Sequence, residues 1–390
     1  MTKASLKAGE LQFLSAKRYF EEFLSSRPKL REYLYKVKTP ALLIDRGGVK
    51  AKYLKLKYHL PEVNIYYAVK ANDHPDILSS LAEVGAGFEV ASSKELELLR
   101  GLNVPPERII SSNPVKPMDF IDFAYKEGVN RFAVDSFVEV DKIARVAPRA
   151  RVYVRITVPN EGSDWPLSRK FGVDLDTALS ILEYSKNKGL VPVGITFHVG
   201  SQCNNLRNWF IAIKRSAYLW EKAREKGIKL LLLNMGGGIP VRYIQESLRV
   251  EDVAYYVKGL LRKYFPTPPY ELQMEPGRGI VGDQGIMVVS VIGKAERGEE
   301  KWLYIDTGVF NGFAEALGGI RYPVYLERDG KLKEWVIGGV SCDSMDVLSK
   351  NVSLPEPEIG DRLFFLSAGA YTTVYASNFN GFPKPEVICL

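Results

Sequence analysis

The sequence predicts an α/β fold, a (β/α)8 barrel joined to a C-terminal antiparallel β domain of sandwich or barrel type. Three observations predict it. Eight short apolar, β-branched runs are each followed by a stretch of helical period, most of those stretches end in Gly, and beyond about residue 280 the alternation gives way to closely spaced strands.

Taken in order, residues 1–37 read as an amphipathic helical extension with no chemistry of its own. The barrel is expected over residues 46–280. Its strand runs are NIYYAVKAN (64–72), GFEVAS (87–92), RIISSN (108–113), RFAVDS (131–136), RVYVRIT (151–157), PVGITFHVGS (192–201), LLLLNMGGG (230–238) and ELQMEPGR (271–278). Between them HPDILSSLAEVG, SKELELLRGL, DFIDFAYKEG and DTALSILEYSKNKG carry helical periodicity, with Gly where a helix C-cap is expected. The β domain is expected over residues 281–390. It contains GIMVVSVIGKAERG, EKWLYIDTGVF, YPVYLERDGKLKEWVIGGV and GDRLFFLSAGAY, with RDGK as a hairpin signal.

Composition bounds the function. At 390 residues the chain exceeds the usual single domain, and 46% hydrophobic with 25% charged residues is ordinary globular usage. The N-terminal stretch mixes charges into its apolar positions, and no window reaches transmembrane length, so a cytoplasmic protein without a membrane partner is expected. Cys203, Cys342 and Cys389 are too few and too scattered for a disulfide framework or a zinc site, which fits a reducing compartment and no metal. The net charge of +7 raises nucleic acid as a partner. However, the basic residues alternate with acids, as in LWEKAREKGIKL, and form no block, so they read as solvated helix faces that attract anions.

In a parallel barrel the chemistry gathers at the C-terminal ends of the strands. The polar residues there are Lys70, Glu89, Asn113, Asp135, Arg155, His198, Gly236 to Gly238, Glu275 and Arg278. Each alone reads as a strand-end residue turning to solvent, and for Asn113, Asp135 and Glu89 that is the preferred reading. Together they make a site. Three glycines allow close backbone approach and expose N–H groups to an anion, and Arg278 adds a bidentate donor for it. A lysine at an apolar strand end is suited to attack an aldehyde. An acid, a phosphate nest and a reactive amine point to pyridoxal 5'-phosphate, with the lysine on its aldehyde and the carboxylate on its pyridinium nitrogen.

The motifs YYAVKAN, FHVGSQC, NMGGGIP, EPGRGIVG, VSCDSMDVL and GAYTTVYASNFNGF resemble the alanine-racemase-fold (fold type III) pyridoxal-phosphate-dependent amino acid decarboxylases, from about Thr39 to the C-terminus. EGSDWPLSRKFG and ASNFNGF are most similar to bacterial-type ornithine decarboxylases, with lysine/ornithine decarboxylases close. The resemblance implies that residues 38–45, with TPALLID, join the β domain. It implies Lys70, His198, Glu275 and Cys342 as catalytic residues: Lys70 holds the cofactor, Glu275 keeps its ring nitrogen protonated, and His198 stacks on the ring. Ser201, Gly237, Gly238, Gly277, Arg278 and Tyr371 would bind the phosphate. Glu89 stands where many members have Asp, and Arg155 would support the cofactor or Glu275.

Cys342 would return a proton after CO2 leaves, and Asp343 would receive the substrate's distal ammonium, both reaching the site of the other subunit in a head-to-tail homodimer. An Asp there favours a plain diamine product over that of diaminopimelate. After FNGFAEAL the relatives supply a second acid, whereas this chain has Gly318 and Gly319. Glu315 or Asp306 would have to replace it, or a longer cation would use the room. The expected reaction is L-ornithine to putrescine in polyamine biosynthesis. L-lysine to cadaverine and L-arginine are the alternatives, and diaminopimelate or a non-catalytic regulatory homologue follows. A racemase would need a tyrosine base where SCDSMD stands.

Overall fold

The eight apolar runs form eight parallel strands, numbered here in chain order: β1 (Val63–Ala68), β2 (Gly87–Glu89), β3 (Ile109–Ile110), β4 (Arg131–Val134), β5 (Arg151–Arg155), β6 (Val191–Thr196), β7 (Leu232–Asn234) and β8 (Glu271–Met274). Each lies beside its neighbours in sequence, and β8 pairs with β1. The last seam, between β3 and β4, is made by Ser111. Its N–H donates to Arg131 O at 3.1 Å and its carbonyl accepts from Ala133 N–H at 2.9 Å, which closes the barrel. This computed structural model describes residues 8–165 and 170–390, so part of EGSDWPLSRKFG, at 166–169, lies outside the described residues.

The strands read as continuous apolar runs because both their faces are covered: Tyr67, Phe88, Phe132 and Tyr153 are all fully buried. Helices Pro75–Glu83, Ser93–Gly101, Met118–Lys126, Phe137–Val146, Leu175–Asn187, Leu206–Glu225 and Val250–Tyr264 follow β1 to β7. Several start on side-chain caps. Ser92, Ser136 and Asp174 each accept the backbone N–H three residues on, satisfying a donor that the first turn leaves open. Gly189, at φ +78°, ends the Leu175–Asn187 helix in the left-handed conformation that glycine adopts without strain. β8 is followed only by the four-residue helix Arg278–Val281, while the helix Arg46–His59 precedes β1.

The barrel belongs to a unit comprising Lys50–Pro240 and Leu248–Ile280. The other unit takes in the described residues up to Val49, Val241–Ser247 and Val281–Leu390. Its sheet runs Val324–Leu326, Arg362–Leu366, Gly285–Arg297, Glu300–Ile305, Lys333–Gly338 and Val347–Leu354. Ala41–Ile44 pairs antiparallel with Gly285–Arg297, with Ala41 opposite Val288, and Glu386–Cys389 adds to it in parallel. Glu300–Ile305 and Lys333–Gly338 are also parallel, so the sheet is mostly, not wholly, antiparallel. Two described strands of this sheet had no sequence expectation, Val347–Leu354 and Glu386–Cys389, the first because Lys350 and Asn351 interrupt its apolar pattern.

RDGK does not make a hairpin. Val324–Leu326 pairs with Arg362–Leu366, whereas Lys333–Gly338 pairs with Val347–Leu354 and Glu300–Ile305. The physical reason is local: Arg328 binds Glu358 at 2.9 Å and Asp361 at 3.0 Å, which ties this segment to a different turn. On the same sheet, helix Ala8–Ser25 buries Ala16, Phe20, Phe23 and Leu24, one stripe at helical spacing, against Val288, Tyr325, Phe364 and Leu366. The Phe20 ring lies 4.8 Å from both Tyr325 and Phe364. Burying such phenylalanines contributes roughly 2–3 kcal/mol each.

Candidate active site

The polar residues expected at the barrel rim converge there. β1 ends at Ala68, one turn earlier than its apolar run suggests, and Lys70 stands on a 3-10 turn, Val69–Ala71, between two buried neighbours. Its ammonium ion-pairs with Oε2 of Glu89, the last residue of β2; the Lys70 side chain is half exposed, whereas Glu89 is buried. The second oxygen, Glu89 Oε1, is buried without a hydrogen-bond partner among the described residues. Leaving a carboxylate oxygen in that state is costly, so the site is arranged for a further donor.

Glu275 follows β8 and is 8% exposed. Its Oε1 accepts from Ser112 Oγ and from Asn234 Nδ2, and Ser112 is in turn 2.7 Å from the Tyr153 hydroxyl. Burial, then the charge of Glu89, push the Glu275 carboxyl up to about 7, against the opposing charge of Lys70 and these two hydrogen bonds. Neutral donors stabilise a buried carboxylate but do not balance its charge. A cation placed against Glu275 would.

His198 stands two residues past β6. Its Nδ1 accepts the Gly200 N–H at 3.0 Å, which puts the proton of the neutral ring on Nε2. Burial and the charges of Arg155 and Lys70 hold its pKa well below the ordinary value, so the imidazole is neutral. Arg155, the last residue of β5, stacks its guanidinium 5.3 Å from the Phe171 ring, and its pKa is lowered by burial against the pull of Glu275, Asp135 and Glu89. Arg278 is buried, and its Nε donates to Ser201 Oγ at 3.2 Å. The Gly277 carbonyl accepts from Ile280 N–H.

The glycine run after β7 has a first duty to the protein itself. A Cβ on Gly236 would stand 2.1 Å from Phe197 O, one on Gly237 2.7 Å from Glu275 O, and one on Gly238 2.7 Å from Gly200 O. Gly236 and Gly238 also adopt positive φ, +60° and +113°. Glycine here lets the loops after β6, β7 and β8 touch backbone to backbone, which draws His198, Gly237 and Glu275 into one cluster. Asn113 and Asp135 hold the rim loops: Asn113 O accepts from Lys116 Nζ in its own loop at 2.8 Å, and Asp135 accepts from Gly172 N–H in the loop after β5 at 2.9 Å.

The remaining expected residues belong to the other unit. Cys342 is exposed, with its Sγ 3.4 Å from Asn380 Oδ1, and Asp343 accepts the Met345 N–H at 2.8 Å. The loop carrying them is anchored by Asp346, which accepts from Val309 N–H at 2.7 Å and Ser341 N–H at 2.9 Å. Asp306 is engaged by the Ser290 N–H at 2.9 Å, and burial raises its pKa. Glu315 is buried in the 3-10 turn Ala314–Gly318, and Tyr371 holds a left-handed φ of +55°.

Ser112, Asn234, Tyr153 and Asp346 were missed as site residues. Ser112 and Asn234 lie inside the quoted runs RIISSN and LLLLNMGGG, one residue before Asn113 and two before the glycines. Nothing local marks them, since their contacts to Glu275 span 163 and 41 residues of chain. The residues present fit pyridoxal phosphate. There is an amine, a buried carboxylate whose pKa stays raised despite the charge of Lys70, an orphaned carboxylate oxygen, and a buried arginine beside a serine and a glycine loop.

Comparison with known proteins gives the family of the chain. The pyridoxal binding domain of the pyridoxal-dependent decarboxylases matches residues 46–282. A lysine/ornithine decarboxylase of Selenomonas ruminantium is 36% identical over 366 residues, 93% of this chain and 92% of that one. Antizyme inhibitor 2 of Xenopus laevis is 35% identical over 361 residues, 88% of this chain and 79% of that one. The arginine decarboxylase of Paramecium bursaria Chlorella virus bound to agmatine superimposes with a TM-score of 0.86 at 30% identity, over 91% of this chain and 98% of that one.

Proposed function

We propose that this chain, which belongs to the pyridoxal-dependent decarboxylase family, removes CO2 from a basic L-amino acid, with L-ornithine as substrate and putrescine as product. The observation that carries the reading is the buried Glu275, held by Ser112 and Asn234, with its carboxyl still pushed up to about 7 against the charge of Lys70. When bound, pyridoxal phosphate supplies the electron sink for the pair left as the bond from Cα to the carboxylate breaks.

The chain's own residues do the rest. Lys70 binds the cofactor's aldehyde through Nζ, and Glu89 keeps that amine in place. Glu275, flanked by its two donors, would hold a proton on the ring nitrogen. His198, neutral and fixed through Nδ1, offers a flat apolar face to the ring. Arg278, Ser201, Gly237, Gly238 and Gly277 bind the phosphate together with Tyr371, and Arg155 supports the field around Glu275. Cys342 delivers a proton from its thiol to Cα, so that the carbon leaving as CO2 is replaced by hydrogen.

Asp343 takes the distal ammonium of the substrate. Its carboxylate is exposed on a loop that Asp346 holds rigid, which suits it to a ligand or to the site of a second copy. That segment and its neighbours expose Met345, Tyr375 and Phe379, apolar surface consistent with a homodimer in which each copy supplies Cys342 and Asp343 to the other. Asp306, which accepts the Ser290 N–H, or the buried Glu315 would supply the second acid. No helix among the described residues is long and apolar enough to cross a membrane, and we place the enzyme in the cytoplasm.

The test is product formation and CO2 release by the purified protein with pyridoxal phosphate, offering ornithine, lysine, arginine and diaminopimelate separately. Preference for ornithine supports the reading. Preference for lysine or arginine would replace the substrate and make the Gly318 and Gly319 gap the determinant of length. The similarity to antizyme inhibitor 2 favours a second reading, a non-catalytic homologue. It predicts no product from any of the four.

A further inference from the structure

The N-terminal helix Ala8–Ser25 is tied into the β unit by more than apolar packing. The Tyr19 hydroxyl lies 2.9 Å from Ser367 Oγ, and Ser367 Oγ donates to the Arg242 carbonyl, so Tyr19 is the donor to Ser367. The Arg242 guanidinium returns over the Tyr19 ring at 4.6 Å and donates to Ser15 Oγ at 3.0 Å. Glu22 and Glu246 lie 3.7 and 3.3 Å from the same guanidinium. Burial raises the Tyr19 pKa, which keeps the phenol protonated and able to donate.

What this relay holds is unusual backbone. Ser367 is buried and left-handed, at φ +57°, and Tyr371, four residues on, is left-handed at +55°. Non-glycine residues occupy that region at a cost in strain, when their surroundings compel it. Between them Ala368 and Gly369 donate to Gly285 O and Gly282 O at 2.9 Å each, and Thr372 Oγ1 donates to Ala368 O at 2.8 Å. A Cβ on Gly369 would stand 2.0 Å from Val281 O, so the turn is packed against the end of the helix Arg278–Val281. At the start of the turn Ser367 continues the strand Arg362–Leu366, and among the described residues its side chain is bonded to this relay.

We propose that Tyr19 is a positioning residue for cofactor phosphate: through Ser367 it sets the turn that presents Tyr371, which gives the N-terminal helix a part in cofactor binding. The inference rests on the reading of Tyr371 as a phosphate ligand. The experiment compares the full-length protein with Tyr19→Phe and Tyr371→Phe, each freed of cofactor and titrated by absorbance with pyridoxal 5'-phosphate and, separately, with pyridoxal, which lacks the phosphate. Tyr19→Phe is expected to weaken pyridoxal phosphate about fivefold while leaving pyridoxal unchanged.

Equal weakening of both probes, or of neither, overturns the proposal, because a merely structural hydroxyl has no means of telling them apart. If Tyr371→Phe discriminates between the probes and Tyr19→Phe does not, the positioning role alone fails. If Tyr371→Phe does not discriminate, the phosphate reading of Tyr371 fails and the inference falls with it. Should Tyr19→Phe fold poorly, Ser367→Gly removes the same relay, with a residue that is unstrained at positive φ, and reads the same ratio.

Discussion

At the residue scale the site is a problem in charge balance. Glu89 and Glu275 are both buried, and burial plus their mutual repulsion raise Glu275 from an ordinary 4.5 to about 7. A folded-state pKa above the unfolded one means that this group's contribution to stability is complete below pH 4.5 and is lost as pH rises through about 7. The difference amounts to roughly 3 kcal/mol. Glu275→Gln, which still accepts from Ser112 and Asn234, should therefore raise the melting temperature of the cofactor-free protein at neutral and alkaline pH, with the gain vanishing towards pH 4.5. An equal shift at all pH values would locate the effect in packing instead. The same substitution should cut turnover by about two orders of magnitude or more, since an amide cannot hold the ring nitrogen protonated. Lys70→Ala should abolish turnover, and Cys342→Ala should slow it or divert it towards transamination; wild-type rates in either would contradict the assigned roles.

At the element scale the loop after β3 shows how the rim is held. Lys116 is fully buried, and its Nζ donates to Asn113 O at 2.8 Å and Ala133 O at 2.7 Å and pairs with Glu139 at 2.9 Å; Lys142 meets the other Glu139 oxygen at 2.6 Å. Burial pushes the Lys116 ammonium down to about 8 in spite of Glu139. This buried pair anchors the loop that carries Ser112 to Glu275. Lys116→Met should cost about 3 kcal/mol by stranding the Asn113 and Ala133 carbonyls and leaving Glu139 with Lys142 as its remaining ion-pair partner, measured as a fall in denaturation midpoint. If the loop matters to the site, Glu139→Gln should lower cofactor affinity as well as stability. These elements were legible to different degrees. Barrel strands declared themselves because each is a short apolar run between helices, whereas Val347–Leu354 hid behind a polar middle, and RDGK advertised a hairpin that Arg328 overrides.

At the scale of the whole molecule the proposed homodimer makes a prediction that no single chain can satisfy. Lys70→Ala and Cys342→Ala inactivate different halves of a shared site. Mixed and allowed to exchange subunits, the two impaired proteins should reach about a quarter of wild-type decarboxylation, above the rate of either alone, because half the dimers are hybrids and each hybrid holds one intact site. Recovery near zero, with exchange verified independently, would mean that each chain completes its own site.

The sequence by itself determined the eight barrel strands, the rim positions of Lys70, Glu89, His198, Glu275 and Arg278, and the resemblance to the decarboxylases, because these follow from local pattern: apolar runs, turn glycines, and residue types at strand ends. Only the tertiary structure decided who holds them. Ser112 and Asn234 reach Glu275 across 163 and 41 residues, and Tyr19 reaches Ser367 across 348. No periodicity encodes such contacts. They exist because barrel closure brings distant strand ends to one rim, and because a helix must bury its apolar stripe on a sheet formed at the far end of the chain.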